Sequence, residues 1–225
     1  MIQIKNLSKG FGGNQVLSGI NIDMQPEKTY GVVGANGAGK TTLFRCIAKM
    51  EKFEGSIGDS TIRDFHTSIG YLPTQPPVLS KITGKEYIKL LLAARQIRIK
   101  ELPNIFGLPF NQYVESYSTG MLKKLALQGV VLQDNSILLL DEPFNGLDYE
   151  SNLMVMEILK RLTQKGKTLL ISSHIFSVLS DCCDEIFVLE EGKISKTVGK
   201  EDFVKLESEM KSKLVGRKID GIIPE

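Results

Sequence analysis

The sequence is poor in the residues that build thiol and metal sites. It contains 3 cysteines, 2 histidines and no tryptophan among 225 residues. Cys182 and Cys183 are adjacent, an arrangement that suits a structural disulfide poorly, and there is no Cys-x-x-Cys pair. The sequence therefore excludes a zinc-finger or disulfide-stapled protein and favours buried, reduced thiols.

Charge of one sign and long apolar runs are also scarce. The 28 Lys and Arg residues nearly balance 26 Asp and Glu residues, for a net charge of +2, so no nucleic-acid partner is expected. Apolar runs such as residues 137–140 are far shorter than the roughly 20 residues of a membrane-spanning helix. Residues 1–5 lack the apolar core of a signal peptide. We therefore expect a cytoplasmic protein that meets a membrane only through a partner.

Strands that alternate with helices dominate the sequence pattern. β-prone or continuous apolar runs predict buried strands at residues 29–33, 137–140, 168–172 and 186–189. This alternation predicts an α/β fold with a mostly parallel sheet. Short β-runs in the first fifty or so residues predict short strands joined by turns. A helix is indicated at residues 85–100, within a helical insertion predicted at about residues 76–127. We expect one domain over residues 1–225, with a short C-terminal extension at about 200–225.

A glycine-rich loop follows the first predicted buried strand and precedes a predicted helix. Residues 34–41 fit the pattern G-x-x-x-x-G-K-[ST], whose backbone N–H groups cradle phosphates at a helix N-terminus. Lys40 is predicted to bind the β- and γ-phosphates, and the hydroxyl of Thr41 to ligate Mg²⁺. The sequence thus predicts a P-loop NTPase that binds ATP and Mg²⁺. The predicted nucleotide contacts from this loop are Gly34, Asn36, Gly37, Ala38, Gly39, Lys40, Thr41 and Thr42.

Two carboxylates follow the apolar run at residues 137–140. Ligands of open α/β sheets bind at the carboxyl ends of the strands, which is where Asp141 and Glu142 would lie. Asp141 is predicted to hold Mg²⁺, directly or through water, and Glu142 to accept a proton from the attacking water. A pair of solvated acids would be the alternative if the phosphate loop were absent.

Further motifs, in order along the chain, resemble those of the ATPase subunits of ABC transporters. Residues 117–121, Tyr-Ser-Thr-Gly-Met, are similar to the signature motif, and residues 145–148, Asn-Gly-Leu-Asp, to the D-loop. The spacings agree with the family, with 23 residues from Ser118 to Asp141 and 33 from Asp141 to His174. The resemblance covers about residues 1–200. It implies a two-part ATPase with a parallel core, an antiparallel portion and a small helical subdomain.

The resemblance also implies roles for individual residues. His174 would be the switch histidine that assists catalysis with Glu142 and Lys40, and Phe11 would stack on adenine. Ser118, Gly120 and Asp148 would contact ATP bound to a second subunit. Each has a plainer explanation: His174 could be structural, Phe11 could be part of the core, and Ser118 could serve only as a helix N-cap.

The sequence departs from the family at the Q-loop. Ungapped alignment puts Thr74 where the family has a glutamine that reaches Mg²⁺, and Gln75 comes one residue later. The three prolines at positions 73, 76 and 77 could displace the loop. We therefore predict that Gln75 binds the nucleotide and Mg²⁺ in place of the family's residue. The alternatives are that Thr74 serves at this position, or that Gln75 is solvated and water replaces the missing amide.

From this resemblance we expect an ATP-hydrolysing transporter subunit. It would form a head-to-tail homodimer or heterodimer of ATPase subunits and drive a separate transmembrane permease at the inner face of the cell membrane. The signature variant is similar to that of exporter-type ATPases without fused membrane segments, so export is the predicted direction. The alternative is a soluble ABC ATPase with a non-transport assembly role.

Overall fold

The computed structural model describes residues 1–59 and 65–219, and it describes side chains as far as residue 212. The part of the predicted C-terminal extension beyond residue 219 lies outside the described residues. The strands are β1 (Ile2–Phe11), β2 (Asn14–Met24), β3 (Thr29–Val33), β4 (Glu54–Asp59), β5 (Ile69–Leu72), β6 (Ile137–Asp141), β7 (Thr168–Ser172), β8 (Glu185–Glu190) and β9 (Lys193–Gly199). The α-helices are α1 (Lys40–Ile47), α2 (Gly84–Ala93), α3 (Thr119–Leu132), α4 (Tyr149–Gln164), α5 (Phe176–Cys182) and α6 (Phe203–Ile219).

Six strands form the larger sheet, in the order β5-β6-β7-β3-β8-β9. Among the described residues of this sheet, the β8–β9 pairing alone is antiparallel, and the strands from β5 to β8 are parallel. All five residues of β3, of β6 and of β7 are buried, because helices or the second sheet cover both faces of these central strands. The prediction of a mostly parallel α/β sheet is confirmed.

Alternate residues of β6 contribute to two different hydrophobic cores, as the two-residue repeat of a strand requires. Leu138 and Leu140 pack in the core that also contains residues of α3, α4 and α5. Ile137 and Leu139 pack in a second core that contains residues of α1 and of the smaller sheet. That smaller sheet is antiparallel in the order β2-β1-β4, which confirms the predicted antiparallel portion.

The helical part begins at Gly84 and packs α2 against α3. The sequence indicated a longer helix in place of α2, from residue 85 to 100, but the structure ends α2 at Ala93. Gln96 has a φ of +57°, a backbone conformation that an α-helix cannot continue through. The boundaries of the helical subdomain, predicted at 76–127, and the single-domain organisation stay a proposal.

Among the helices of the described ranges, none has both the length and the hydrophobicity that a membrane span requires.

The start of α2 provides a prediction about stability. Thr83 and Glu86 form a reciprocal capping box, in which the Glu86 N–H donates to Thr83 Oγ1 and the Thr83 N–H donates to Glu86 Oε2. We expect Thr83→Ala to lower the free energy of unfolding by about 1 kcal/mol, since the helix loses its cap. Urea denaturation measures the change. Ser80→Ala, an exposed position in the preceding turn, should stay within about 0.5 kcal/mol of the wild type. Equal losses in both variants would contradict the cap's contribution.

Candidate functional site

The phosphate loop connects the end of β3 at Val33 to the start of α1 at Lys40. Gly39 is the N-cap of α1, with a φ of +105° and no side chain to occupy the N–H groups of the first turn. A Cβ atom at Gly39 would lie 2.8 Å from Leu17 Cδ2, so both the backbone angle and the space require glycine. The first N–H groups of α1 therefore stay available to an anion.

A cavity of about 390 Å³ opens above this loop. It is lined by Val16, Asn36, Gly37, Gly39, Lys40, Thr41, Thr42, Thr74, Glu142, Asn145 and His174. The structure thus brings together, around one cavity, residues from the phosphate loop, from the end of β6 and from the end of β7.

Lys40 is buried at the floor of the cavity. Its Nζ donates to the carbonyl oxygens of Gly34, at 2.8 Å, and Ala35, at 3.3 Å. The same Nζ lies 4.0 Å from Glu142 Oε1. This ammonium group is therefore placed between the loop and the predicted base, where it offers positive charge to a phosphate.

Asp141 is fully buried at the end of β6, and its carboxylate accepts three hydroxyl hydrogen bonds. Thr41 Oγ1 and Thr74 Oγ1 donate to Oδ2, at 2.8 and 2.5 Å, and Ser172 Oγ donates to Oδ1 at 2.5 Å. Ser172 is the register partner of Asp141 in the parallel β6–β7 pair, which explains why the two side chains meet. The three hydroxyls compensate for the loss of water around the buried charge.

Glu142 has a left-handed backbone, with a φ of +51°, which is unusual for a residue with a side chain. Its N–H donates to Ser172 Oγ at 2.9 Å, and its Oε2 lies 2.9 Å from His174 Nδ1. Such a backbone costs about 1–3 kcal/mol and persists because the surroundings fix it. The turn aims the Glu142 carboxylate into the cavity, away from the side to which Asp141 points.

The Q-loop segment differs from the predicted displaced loop. The hydroxyl of Thr74 reaches Asp141 Oδ2 and lies 3.5 Å from Thr41 Oγ1, whereas Gln75 is exposed. Thr74 and Gln75 lie in a bend two residues after the end of β5, and within this bend the Thr74 hydroxyl faces Asp141 while the Gln75 side chain is in solvent. In this structure the ungapped alignment gives the residue at the site, and the geometry does not support a nucleotide or metal contact from Gln75.

Ser118, Gly120 and Asp148 lie outside the lining of the cavity. Ser118 caps α3, with its Oγ accepting the Met121 N–H at 3.2 Å. A Cβ atom at Gly120 would lie 2.6 Å from the Gly146 carbonyl oxygen, so the signature and D-loop segments are in close contact within one chain.

Asp148 has a structural role of its own as the N-cap of α4. It accepts hydrogen bonds from the Ser151 N–H at 2.8 Å and from the Ser151 hydroxyl at 2.9 Å. These bonds, the backbone one first, lower the pKa of Asp148 to about 2, so the side chain is an anion at neutral pH.

Phe11 is 45% exposed and is not among the cavity-lining side chains of the described chain. Lys9 Nζ lies 4.3 Å from the centre of its ring, a cation–π contact. The plainer expectation that Phe11 belongs to the core does not fit this exposure. Adenine stacking stays a prediction.

Sequence reasoning missed several residues at the site. Ser172 was assigned only to a strand, although its place as the last residue of β7 could have identified it. Val16 lines the cavity without a distinctive pattern, and Asn145, which belongs to the segment similar to the D-loop, was not predicted as a site residue. Lys123 was also missed: it is 1% exposed, and its Nζ donates to backbone carbonyls at the Q-loop.

Comparison with known proteins places this geometry in a family. The family model for ABC transporter ATP-binding domains matches residues 17–145. The lantibiotic transport ATP-binding protein SrtF of Streptococcus pyogenes is 32% identical over 203 residues, which cover 86% of this chain and 89% of SrtF. The methionine import ATP-binding protein MetN of Clostridium acetobutylicum is 29% identical over 247 aligned positions that cover 100% of this chain and 77% of MetN.

Other relatives are longer than this chain. An uncharacterised ABC transporter ATP-binding protein of Nostoc sp., all4389, is 31% identical over 204 residues, which cover 82% of this chain and 61% of that protein.

Solved structures share the fold at low sequence identity. An ATP-binding subunit of an ABC transporter has a TM-score of 0.83 at 22% identity, covering 92% of this chain and 93% of the other. The ATP-binding cassette MJ0796, in a dimeric post-hydrolysis state bound to ADP and Pi, has a TM-score of 0.77 at 22% identity, covering 89% of this chain and 99% of the other. By the family match, and with a phosphate-loop site to carry the chemistry, this chain belongs to the ABC transporter ATP-binding family and is an ATPase.

Proposed function

We propose that this chain powers a membrane transporter by binding Mg-ATP at the phosphate loop, pairing head to tail with another ATPase subunit, and hydrolysing ATP. The observation that carries the proposal is the position of Glu142, between Lys40 and His174 at the mouth of the loop. A carboxylate held there, at the phosphate end of the cavity, suits the activation of a water molecule for attack on the γ-phosphate.

In the proposed hydrolysis, Glu142 accepts a proton from water as the water oxygen bonds to the γ-phosphorus. The bond from that phosphorus to the bridging β-phosphate oxygen then breaks, and ADP leaves with the electron pair. Lys40 places its positive charge beside the phosphates. With its proton on Nδ1, His174 donates to Glu142 Oε2 and so orients the carboxylate, while Ser172 holds the backbone of Glu142.

The residues beneath the cavity fit a Mg²⁺ ion, because every donor is an oxygen atom. The two threonine hydroxyls, Thr41 and Thr74, and Asp141 Oδ2 are separated by 2.5, 2.8 and 3.5 Å. Adjacent oxygen ligands of an octahedral Mg²⁺ lie about 3.0 Å apart, given metal–oxygen bonds of about 2.1 Å. These three residues would hold the ion, which when bound neutralises charge on the β- and γ-phosphates.

This donor set predicts that Thr74, not Gln75, supports the metal. We expect Thr74→Val, which keeps the shape but removes the hydroxyl, to weaken Mn²⁺ binding in the ATP complex by about 10-fold or more. Electron paramagnetic resonance titration of Mn²⁺ measures the affinity directly. Gln75→Ala is the matched control and should leave it unchanged. A silent Thr74→Val with an impaired Gln75→Ala would restore the displaced-loop interpretation.

Head-to-tail pairing would complete the site. Ser118 and Gly120 stand at the N-terminus of the 14-residue helix α3, where partial positive charge suits the γ-phosphate of ATP held by another subunit. These residues lie outside the lining of their own chain's cavity, as residues that serve a second subunit would. The similarly folded cassette MJ0796 is dimeric with ADP and Pi, which supports the pairing.

Separating binding from turnover tests the hydrolysis proposal. We expect Glu142→Gln to keep ATP binding while turnover falls by about 100-fold or more, because the amide cannot accept a proton. ATP should then accumulate a dimer, which light scattering after size exclusion detects. Wild-type turnover by the variant would show that another group is the base.

Lys40→Ala provides the matched control for that experiment. Without its ammonium group, binding should fail, so neither the ATP-dependent dimer nor the rise in melting temperature should appear. For the wild type, ATP at a hundredfold its dissociation constant should stabilise the fold by about 2.7 kcal/mol. A melting-temperature rise in Lys40→Ala equal to that of the wild type would contradict nucleotide binding at this loop.

Transport would proceed through a separate permease at the inner face of the cell membrane, with this chain on the cytoplasmic side. Among the relatives, SrtF is named for lantibiotic transport and MetN for methionine import. Export stays the proposed direction, on the similarity of the variant motif at residues 117–121 to exporter-type ATPases.

The permease is open to a direct test. We expect the chain to appear in the membrane fraction when its permease partner is co-expressed, and to stay in the supernatant when expressed alone. Lys40→Ala, expressed with the permease, tests whether attachment depends on nucleotide. This variant should still appear in the membrane fraction, because the proposed contact is with the permease and not with ATP. Binding of the purified chain to protein-free liposomes would contradict attachment through a permease.

A further inference from the structure

Lys123 is a buried cation for which neither hydrolysis nor nucleotide binding accounts. It lies in the second turn of α3 and is 1% exposed. Its Nζ donates to the carbonyl oxygens of Pro73 at 3.1 Å, Thr74 at 2.5 Å and Asp141 at 3.4 Å. One ammonium group therefore ties the signature helix to the Q-loop segment and to the end of β6.

The placement of this charge is unfavourable for stability alone. Burial lowers the pKa of Lys123 to about 8, although the nearby carboxylates of Asp141 and Glu142 act in the opposite direction. A methionine or leucine would fill the same space without the cost of removing an ammonium group from water. The three carbonyl contacts, which an apolar side chain cannot make, are what the lysine adds.

The hydrogen bonds of Lys123 connect two parts of the nucleotide site that is proposed to form between subunits. Ser118 caps the helix that carries Lys123, five positions earlier and about 7.5 Å away along the axis. At the other end, the hydroxyl of Thr74 donates to Asp141 Oδ2, and Glu142 follows Asp141 directly. A displacement of α3 would therefore be transmitted through these hydrogen bonds to the backbone of Asp141, which carries the proposed metal-binding carboxylate and precedes the proposed base.

The next lysine connects the same helix to a different segment. Lys124 Nζ lies 3.4 Å from Asp148 Oδ2 and 3.1 Å from Ser151 Oγ, at the start of α4. The carbonyl contacts of Lys123 are thus distinct from the D-loop contacts of α3.

We propose that Lys123 is a positioning residue that couples the signature helix to Asp141 and Glu142, so that contact of Ser118 with ATP in a partner subunit adjusts this chain's own hydrolytic site. The inference rests on the proposed head-to-tail pairing. One side chain would thus couple the binding events at the two nucleotide sites of a dimer.

The test compares Lys123→Met with the wild type, each also in the Glu142→Gln background that accumulates dimer. The lysine variant should still form the ATP-dependent dimer, since Ser118 is intact. In Glu142→Gln alone dimerisation should tighten Mn²⁺ binding by about 5-fold or more, and in Glu142→Gln combined with Lys123→Met it should not. With Glu142 intact, Lys123→Met should lower the turnover number and leave KM little changed. The dependence of its ATPase rate on ATP concentration should also lose cooperativity.

Two further variants separate coupling from packing. Lys123→Arg keeps a cation with N–H donors and should recover part of the coupling, whereas a space-filling role would favour Met over Arg. Lys167→Met is the matched control, because its Nζ also donates to a backbone carbonyl, that of Asp134 at 3.0 Å, but far from the site. It should leave turnover and Mn²⁺ affinity unchanged.

The outcomes distinguish this inference from the function on which it rests. If Lys123→Met retains both cooperativity and dimer-dependent Mn²⁺ tightening, the coupling proposal is overturned and pairing stands. If Glu142→Gln alone gives no ATP-dependent dimer, the pairing fails and the inference fails with it. Should Lys123→Met not fold, Lys123→Gln, which keeps two N–H donors, allows the same comparison, with intermediate coupling expected and unchanged coupling overturning the proposal.

Discussion

The buried carboxylate of Asp141 is the constraint on which the rest of the site depends. A carboxylate removed from water must be compensated, and here three hydroxyls, each from a different segment, do so. Thr41 comes from the first helix after the phosphate loop, Thr74 from the Q-loop segment and Ser172 from the neighbouring strand. Satisfying one charge therefore fixes the relative positions of three separate parts of the chain, and the cavity is formed above them.

The backbone conformation of Glu142, the residue after Asp141, depends on one of the same hydroxyls. Its left-handed backbone is held because its N–H donates to Ser172 Oγ, the oxygen whose proton goes to Asp141. Ser172 thus contacts both Asp141, the proposed metal ligand, and the backbone of Glu142, the proposed base. The hydrogen bonds that fix Asp141 therefore help to hold the strained backbone of Glu142 in place.

Much of the fold and of the candidate site could be predicted from the sequence, because strong local patterns determine the strands, the phosphate loop and the acidic pair. The strands 29–33 and 168–172 were predicted at their observed bounds, and the loop and acidic pair were predicted from spacing. Sequence patterns indicate less where tertiary contacts decide. Gln75 was predicted for its length, but in the folded chain Gln75 is exposed and the Thr74 hydroxyl contacts Asp141. Lys123 carried no signal, since lysines of a helix are normally solvated and only the folded structure shows its carbonyl partners.

The contact between Gly120 and the Gly146 carbonyl has a consequence for assembly. With 2.6 Å available to a Cβ atom at position 120, the two segments lie closer than any side chain there would permit. They are therefore already in contact within one chain. In the proposed head-to-tail pairing, docking against two segments that already touch would order less of the chain than docking against two independent loops, so less conformational entropy would be lost on association. Keeping position 120 free of a side chain would thereby favour the proposed association.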